Sequence, residues 1–129
     1  MSERVVIVTG GAAGIGAATV KKFASEGARV AIWDVDAARG DALATSLNHS
    51  GETAAYRQVD VTSAASVDAA VRQVIGAWGR IDVLVNNAGM VVEGMEEDFT
   101  DFAHLSEAQW DFGIAINLKT QFNVTRCVI

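Results

Sequence analysis

The sequence predicts an α/β fold, a parallel sheet doubly wound with helices on both faces. Three observations predict it. Short runs rich in Val and Ile, such as Val5–Val8, alternate with longer stretches whose apolar residues fall at helical spacing, the rhythm of strand–helix–strand units. The first run is apolar at every position, as in a strand buried on both faces. It leads into TGGAAGIG over Thr9–Gly16, a glycine-rich turn that opens a helix.

That turn is a phosphate cradle in the making. Its glycines tolerate a sharp turn and positive φ angles. With no Cβ at Gly14 or Gly16, a pyrophosphate has room to approach the backbone. The helix that follows would point free N–H groups and the positive end of its dipole at the anion.

Composition narrows the function classes. The 129 residues, half of them hydrophobic, suit a single domain over residues 1–129 with a substantial core. A net charge of −6 and a pI near 4.7 argue against a nucleic-acid or membrane-surface binder. No apolar run approaches a membrane span, and MSERVVIVTG lacks the layout of a signal peptide. Cys127 is the lone cysteine, so no internal disulfide can form, and a cytoplasmic location is expected. Its place on an apolar helical stretch predicts a buried, inert thiol. His49 and His104 stand far apart with no ligand-spaced partner, so no metal site is expected.

Taken in order, Arg4–Thr9 is the first strand. A helix follows over about Gly14–Glu26, with Val20, Phe23, Ala24 and Gly27 on one face and Gly27 as the stop. Arg29–Asp34 is the second strand and ends in an acid, eighteen residues after Gly16. An acid there can accept hydrogen bonds from the adenosine ribose hydroxyls and repel a 2′-phosphate. No Lys or Arg stands at Ala12, Ala13 or Val35 to hold such a phosphate. The same acid could instead cap the next helix, but its spacing from the glycine turn favours the ribose.

Asp36 to about Asn48 is the second helix, and Thr53–Val59 a third strand whose mixed polarity suits a sheet edge. That strand ends in Asp60-Val61-Thr62. Asp60 could accept from an adenine amino group with the Val61 N–H alongside, or serve only as a helix cap. Ser63–Trp78 is the clearest helix, with Val67, Ala70, Val71, Val74, Ile75 and Trp78 in one stripe and Gly79 after it. Ile81–Val85 is the fourth strand and runs into Asn86-Asn87-Ala88-Gly89. Paired amides can knit strand ends together and touch a cofactor, while Ala88 and Gly89 let a flat ring lie close. Met90–Leu105 is a connector with acids and Met and Phe side chains, either a pocket wall or a solvated loop. Ser106 starts a last helix, with Gln109 completing a capping box. Apolar residues continue through Trp110, Ile114, Leu118, Phe122 and Val128.

TGGAAGIG, Asp34, DVT at 60–62, NNAG at 86–89 and Asn117 in INLKTQF together resemble the short-chain dehydrogenase/reductase family, in order and at the right spacing. The resemblance implies a Rossmann-type sheet in strand order 3-2-1-4, incomplete relative to the full fold. It implies an NAD cofactor, with Gly10, Gly14, Ile15 and Gly16 on the pyrophosphate and Asp34 selecting NAD over NADP. Asp60 and Val61 would meet the adenine, and Asn86, Ala88 and Gly89 the ribose and nicotinamide side. It implies hydride transfer between NAD(H) and a secondary alcohol or ketone. A homo-oligomer follows too, because the helix beginning near Ser106 commonly packs on its copy in family members.

The family's chemistry rests on a Ser, a Tyr and a Lys four residues after the Tyr, with a helix Asn holding a water on the proton path. Asn117 matches that Asn. The only tyrosine, Tyr56, lies in the third strand, and the residue four further on is Asp60. The expectation is therefore the cofactor-binding half of an oxidoreductase, cut within the helix that starts near 106. A non-catalytic NAD-binding module is the alternative.

Overall fold

The computed structural model describes residues 3–89 and 102–129. Four strands, β1 (Val5–Thr9), β2 (Arg29–Asp34), β3 (Ala54–Gln58) and β4 (Val83–Val85), form one sheet in the order β3-β2-β1-β4. All three pairings are parallel, with Ile7 opposite both Ala31 and Leu84. Helices α1 (Gly14–Ser25), α2 (Ala37–Leu47) and α3 (Ala64–Trp78) make the crossovers. This is the predicted α/β architecture and strand order.

The strand period of two sorts the core into two layers. Val6, Val8, Val30 and Ile32 pack with Val20, Leu43 and Ala44 under α1 and α2. Val5, Ile7, Ala31 and Trp33 pack with Val67, Ala70, Val74 and Val124 under α3 and the last helix. All five β1 residues are buried, which is why that strand shows no polar alternation. No helix among the described residues is long and apolar enough to cross a membrane.

Three expectations are corrected. The fourth strand, Val83–Val85, is shorter than Ile81–Val85, and at its start the Asp82 carboxylate accepts the Val5 N–H at 2.8 Å. The Asp82 N–H also donates to Val5 O at 2.9 Å, so this residue clasps Val5 from both sides just before the strand proper begins at Val83. The last helix is not uniform. It runs as α4 (Glu107–Ile114), a π-helical stretch over Ala115–Lys119, and α5 (Thr120–Val128). In the wide turn the Thr120 hydroxyl donates to Ile116 O at 3.0 Å and the Gln121 amide to Asn117 O at 3.2 Å. These side-chain bonds add to the i→i+5 backbone bonds that define the π-helical turn.

The third correction, at Cys127, falls on that helix. Its inner face is formed by Thr120, Asn123 and Val124, and the Asn123 amide donates to Val61 O at 3.3 Å. Trp110, Ile114, Leu118 and Phe122 are exposed, Phe122 by 61%. Cys127 is half-buried against the core rather than fully buried. The capping box of Ser106 and Gln109 is present. Of the connector Met90–Leu105, residues 90–101 lie outside the described residues, and a 3-10 turn occupies Phe102–His104.

Candidate functional site

The carboxyl ends of the strands meet at one cleft, and the ends of β1 and β4 are tied together beneath it. Thr9 is buried, and its hydroxyl oxygen accepts from Asn87 N at 3.0 Å and Ala88 N at 2.9 Å. The Asn87 amide donates to Thr9 O and Gly10 O, both at 3.1 Å. These contacts hold the NNAG segment against the start of the glycine-rich turn.

Two glycines of that turn act differently. Gly14 has φ +54°, and a Cβ placed there would meet nothing within 4 Å. It supplies a left-handed turn and leaves its surroundings open. Gly16 faces inward, where a Cβ would lie 2.1 Å from Gly10 O and 2.6 Å from Asn87 Nδ2. Its missing side chain makes room for protein, contrary to the expectation that it makes room for a ligand.

Helix α1 differs from the other described helices that follow a loop in its cap. Its N-cap, Ala13, makes no side-chain cap. Asp36, Ser63 and Ser106 cap α2, α3 and α4 with their side chains. The start of α1 therefore keeps donor capacity and positive dipole charge on the cleft side.

Asp34 is not the cap of α2, since Asp36 accepts from Arg39 N at 3.1 Å. Its own carboxylate accepts from Ala12 N through Oδ2 and from Asp36 N through Oδ1, each at 3.0 Å. Nor is Asp60 the cap of α3, because Ser63 accepts from Ser66 N at 3.2 Å. Asp60 Oδ1 accepts from Thr62 N at 2.9 Å and from the Thr62 hydroxyl. Both acids thus stand at turns on the cleft, with the helix-capping alternative taken by neighbours.

The cleft has a volume of about 460 Å³. Gly10, Gly14 and Ile15 line one side, Asp34 and Asp60 with Val61 a second, and Ala88 and Gly89 a third. Trp33, Val35, Val59 and Asn87 complete much of the lining, and no Lys or Arg is among the lining residues. Ile15 and Val35 are apolar yet 80% and 62% exposed, at opposite lips.

Gly16 and Asn86 are not among the lining residues. The Asn86 amide instead donates to the Thr125 hydroxyl at 3.1 Å and ties the end of β4 to α5. Asn117 lies on the π-helical stretch, next to Ile116 of the lining, and is exposed. Its Oδ1 would be 2.7 Å from a Cβ at Gly89, so this amide and the NNAG segment are in close approach. The paired amides of the sequence do knit strand ends, through Asn87, whereas the sequence alone does not single out the Thr9 hydroxyl. The only signal for Thr9 is a hydroxyl at the end of a predicted strand.

Behind Asp34, the Tyr56 hydroxyl donates to Asp34 O at 2.8 Å. Burial pushes the Tyr56 phenol up from its ordinary value, with the charges of Asp34, Asp41 and Asp36 adding to the shift. Among the described residues no cluster of three or more His, Cys, Asp or Glu side chains could hold a metal.

A parallel sheet with a glycine-rich β1–α1 turn and acids at the ends of β2 and β3 is the Rossmann-type arrangement. The family model described as short chain dehydrogenase matches residues 4–129, and the chain belongs to that family. It is 41% identical over 128 residues to the (2S)-[(R)-hydroxy(phenyl)methyl]succinyl-CoA dehydrogenase subunit BbsD of Thauera aromatica, covering 99% of this chain and 49% of that one. It is 42% identical over 130 residues to the D-threitol dehydrogenase of Mycolicibacterium smegmatis, covering 99% and 47%. A metagenomic short-chain oxidoreductase solved in complex with NADP matches with a TM-score of 0.84 at 35% identity, over 96% of this chain and 54% of that one. The chain spans about half the length of the curated relatives it matches.

Proposed function

We propose that this chain is the cofactor-binding half of an NAD-dependent oxidoreductase acting between a secondary alcohol and a ketone. The observation that carries the reading is the cleft itself, which brings the uncapped start of α1 and the Asp34 carboxylate into one lining with no basic side chain among its described residues. Its volume of about 460 Å³ falls within the ~300–1,000 Å³ common for cofactor sites. The open surroundings of Gly14 fit a group that must approach the backbone.

In this reading Gly10, Gly14 and Ile15 receive the pyrophosphate, and Asp34 accepts the ribose hydroxyls. Asp60 and Val61 meet the adenine, and Ala88 and Gly89 border the nicotinamide end. Gly16 and Asn86 act from outside the lining, by shaping the turn and by anchoring β4. The bound dinucleotide supplies the hydride chemistry. Asn117, against Gly89, holds a water on the proton path. We place the protein in the cytoplasm as a homo-oligomer that buries the exposed stripe from Trp110 to Phe122.

Family membership alone does not choose between NAD and NADP, as the NADP-bound relative illustrates. The choice of NAD rests on charge. A 2′-phosphate about 4 Å from the Asp34 carboxylate costs roughly 1–4 kcal/mol per pair of unit charges, depending on local dielectric. Calorimetric titration of the protein with NAD and NADP should show NAD binding at least about tenfold tighter. Equal affinities would remove Asp34 from selection, and no binding of either would end the reading.

A further inference from the structure

We propose that Asp34 also has a structural role within the site. Its carboxylate holds the glycine-rich turn in shape through the Ala12 N–H, which makes the ribose and phosphate ends of the cleft one mechanical unit. The proposal rests on the reading of the cleft as a dinucleotide site.

Three consecutive residues of the turn are each gripped by a different fixture. Gly10 O accepts from the Asn87 amide at 3.1 Å. Gly11 N donates to Trp33 O at 3.2 Å. Ala12 N donates to Asp34 Oδ2 at 3.0 Å. The turn therefore hangs from the last two residues of β2, by a carbonyl and then by a carboxylate. Ala12 is buried, so its N–H gains more from that bond than an exposed one would.

Asp34 is itself braced for this role. Its carbonyl accepts from Tyr56 Oη at 2.8 Å and Val59 N at 3.3 Å, and its Oδ1 accepts from Asp36 N. An ionised carboxylate offers about four acceptor positions. Two are used within the protein, which leaves two for ribose hydroxyls without release of the turn.

This sharing reverses an electrostatic expectation. Removing a negative charge beside a phosphate site should strengthen phosphate binding. Losing the brace on Ala12 should weaken it, because the turn no longer presents its N–H groups in one geometry.

The test compares adenosine with ADP in the wild type and in Asp34→Ala. The ratio of ADP affinity to adenosine affinity isolates the diphosphate contribution and cancels the lost ribose contact. We expect that ratio to fall severalfold in the variant; a ratio that holds or rises overturns the proposal. Amide exchange of the unliganded protein provides the second arm. Ala12 should be protected in the wild type and should exchange on the order of tenfold faster or more in Asp34→Ala, as expected for loss of a bond to a charged acceptor. Asp36→Ala, which removes the α2 cap but keeps its backbone N–H, should leave Ala12 exchange unchanged. An unprotected Ala12 in the wild type overturns the proposal without any variant. If Asp34→Ala does not fold, Asp34→Asn replaces it, since an amide can accept from only one of the two N–H groups. Should the wild type bind neither ligand, the cofactor reading fails while the exchange arm still decides the brace.

Discussion

Replacing Gly16 with alanine adds one methyl group at the point where the glycine turn closes on itself. Helix propensity alone predicts stabilisation by about 1 kcal/mol, since Gly16 lies inside α1. The structure predicts the opposite sign. The new Cβ would lie 2.1 Å from Gly10 O, 2.9 Å from Gly10 C and 2.6 Å from Asn87 Nδ2. Ordinary contacts to carbon begin near ~3.5 Å, so something must retreat by roughly 1 Å. Two of those atoms are backbone, and the third already donates two hydrogen bonds. Strain of about 1–3 kcal/mol adds to two weakened bonds of about 1 kcal/mol each. After the helix gain, the net loss is roughly 2–4 kcal/mol. For a domain of this size that lowers Tm by on the order of 10 °C. A thermal melt followed by circular dichroism reads it directly. A Tm unchanged or raised would refute the packing argument and leave Gly16 as a ligand-facing glycine. Gly14→Ala should behave differently. Its Cβ meets no neighbour, so the cost is the left-handed conformation, roughly 1–2 kcal/mol, while NAD affinity falls more than stability does.

Three further outcomes follow from the remaining contacts. The Arg80 guanidinium, and after it the Val5 N–H, hold the Asp82 carboxyl below its ordinary value. The folded pKa is thus below the unfolded one, so this stabilisation is present above the unfolded value and lost as pH falls through the folded one. Asp82→Asn should flatten the fall of Tm below about pH 4, and parallel acid limbs for variant and wild type would remove Asp82 from that fall. Leu118→Glu combined with Phe122→Glu should convert an oligomer to a monomer in sedimentation, and an unchanged mass would place the interface elsewhere. The 129-residue chain should turn over no secondary alcohol with NAD above background, since it has no Tyr-x-x-x-Lys; measured turnover would overturn the assignment of the chemistry to that group.

The fold was legible because its periodicities are clean. β1 is apolar from Val5 to Val8, and of the α3 stripe Val67, Ala70 and Val74 are buried while Ile75 stays exposed. Two features were not legible, for the same reason. Nothing local marks Asp82 as the residue that captures Val5 N across 77 positions of sequence. Likewise, the apolar spacing of Trp110, Ile114, Leu118 and Phe122 signals a face that wants burial, but not against what. The core takes Thr120, Asn123 and Val124 instead, and the Asn123 amide bonds Val61 O there. Hydrophobic patterning measures the wish to leave water, and a long-range hydrogen bond can decide which face does so.

The cleft shows the same division at finer grain. Spacing from the glycine turn favours a ribose role for Asp34 over a helix cap, while the strand end at Asp60 leaves both readings open; in the structure the caps fall to Asp36 and Ser63. Spacing could not distinguish Gly14 from Gly16, because both are glycines of one motif and only three-dimensional approach separates an open side from a crowded one. Nor could it show that the Asp34 carboxylate is already engaged by two backbone donors before any ligand arrives. That engagement changes how a substitution there should be read. A loss of NAD affinity in Asp34→Ala combines a missing ribose contact with a loosened turn, and only a ligand pair differing by the diphosphate alone separates the two.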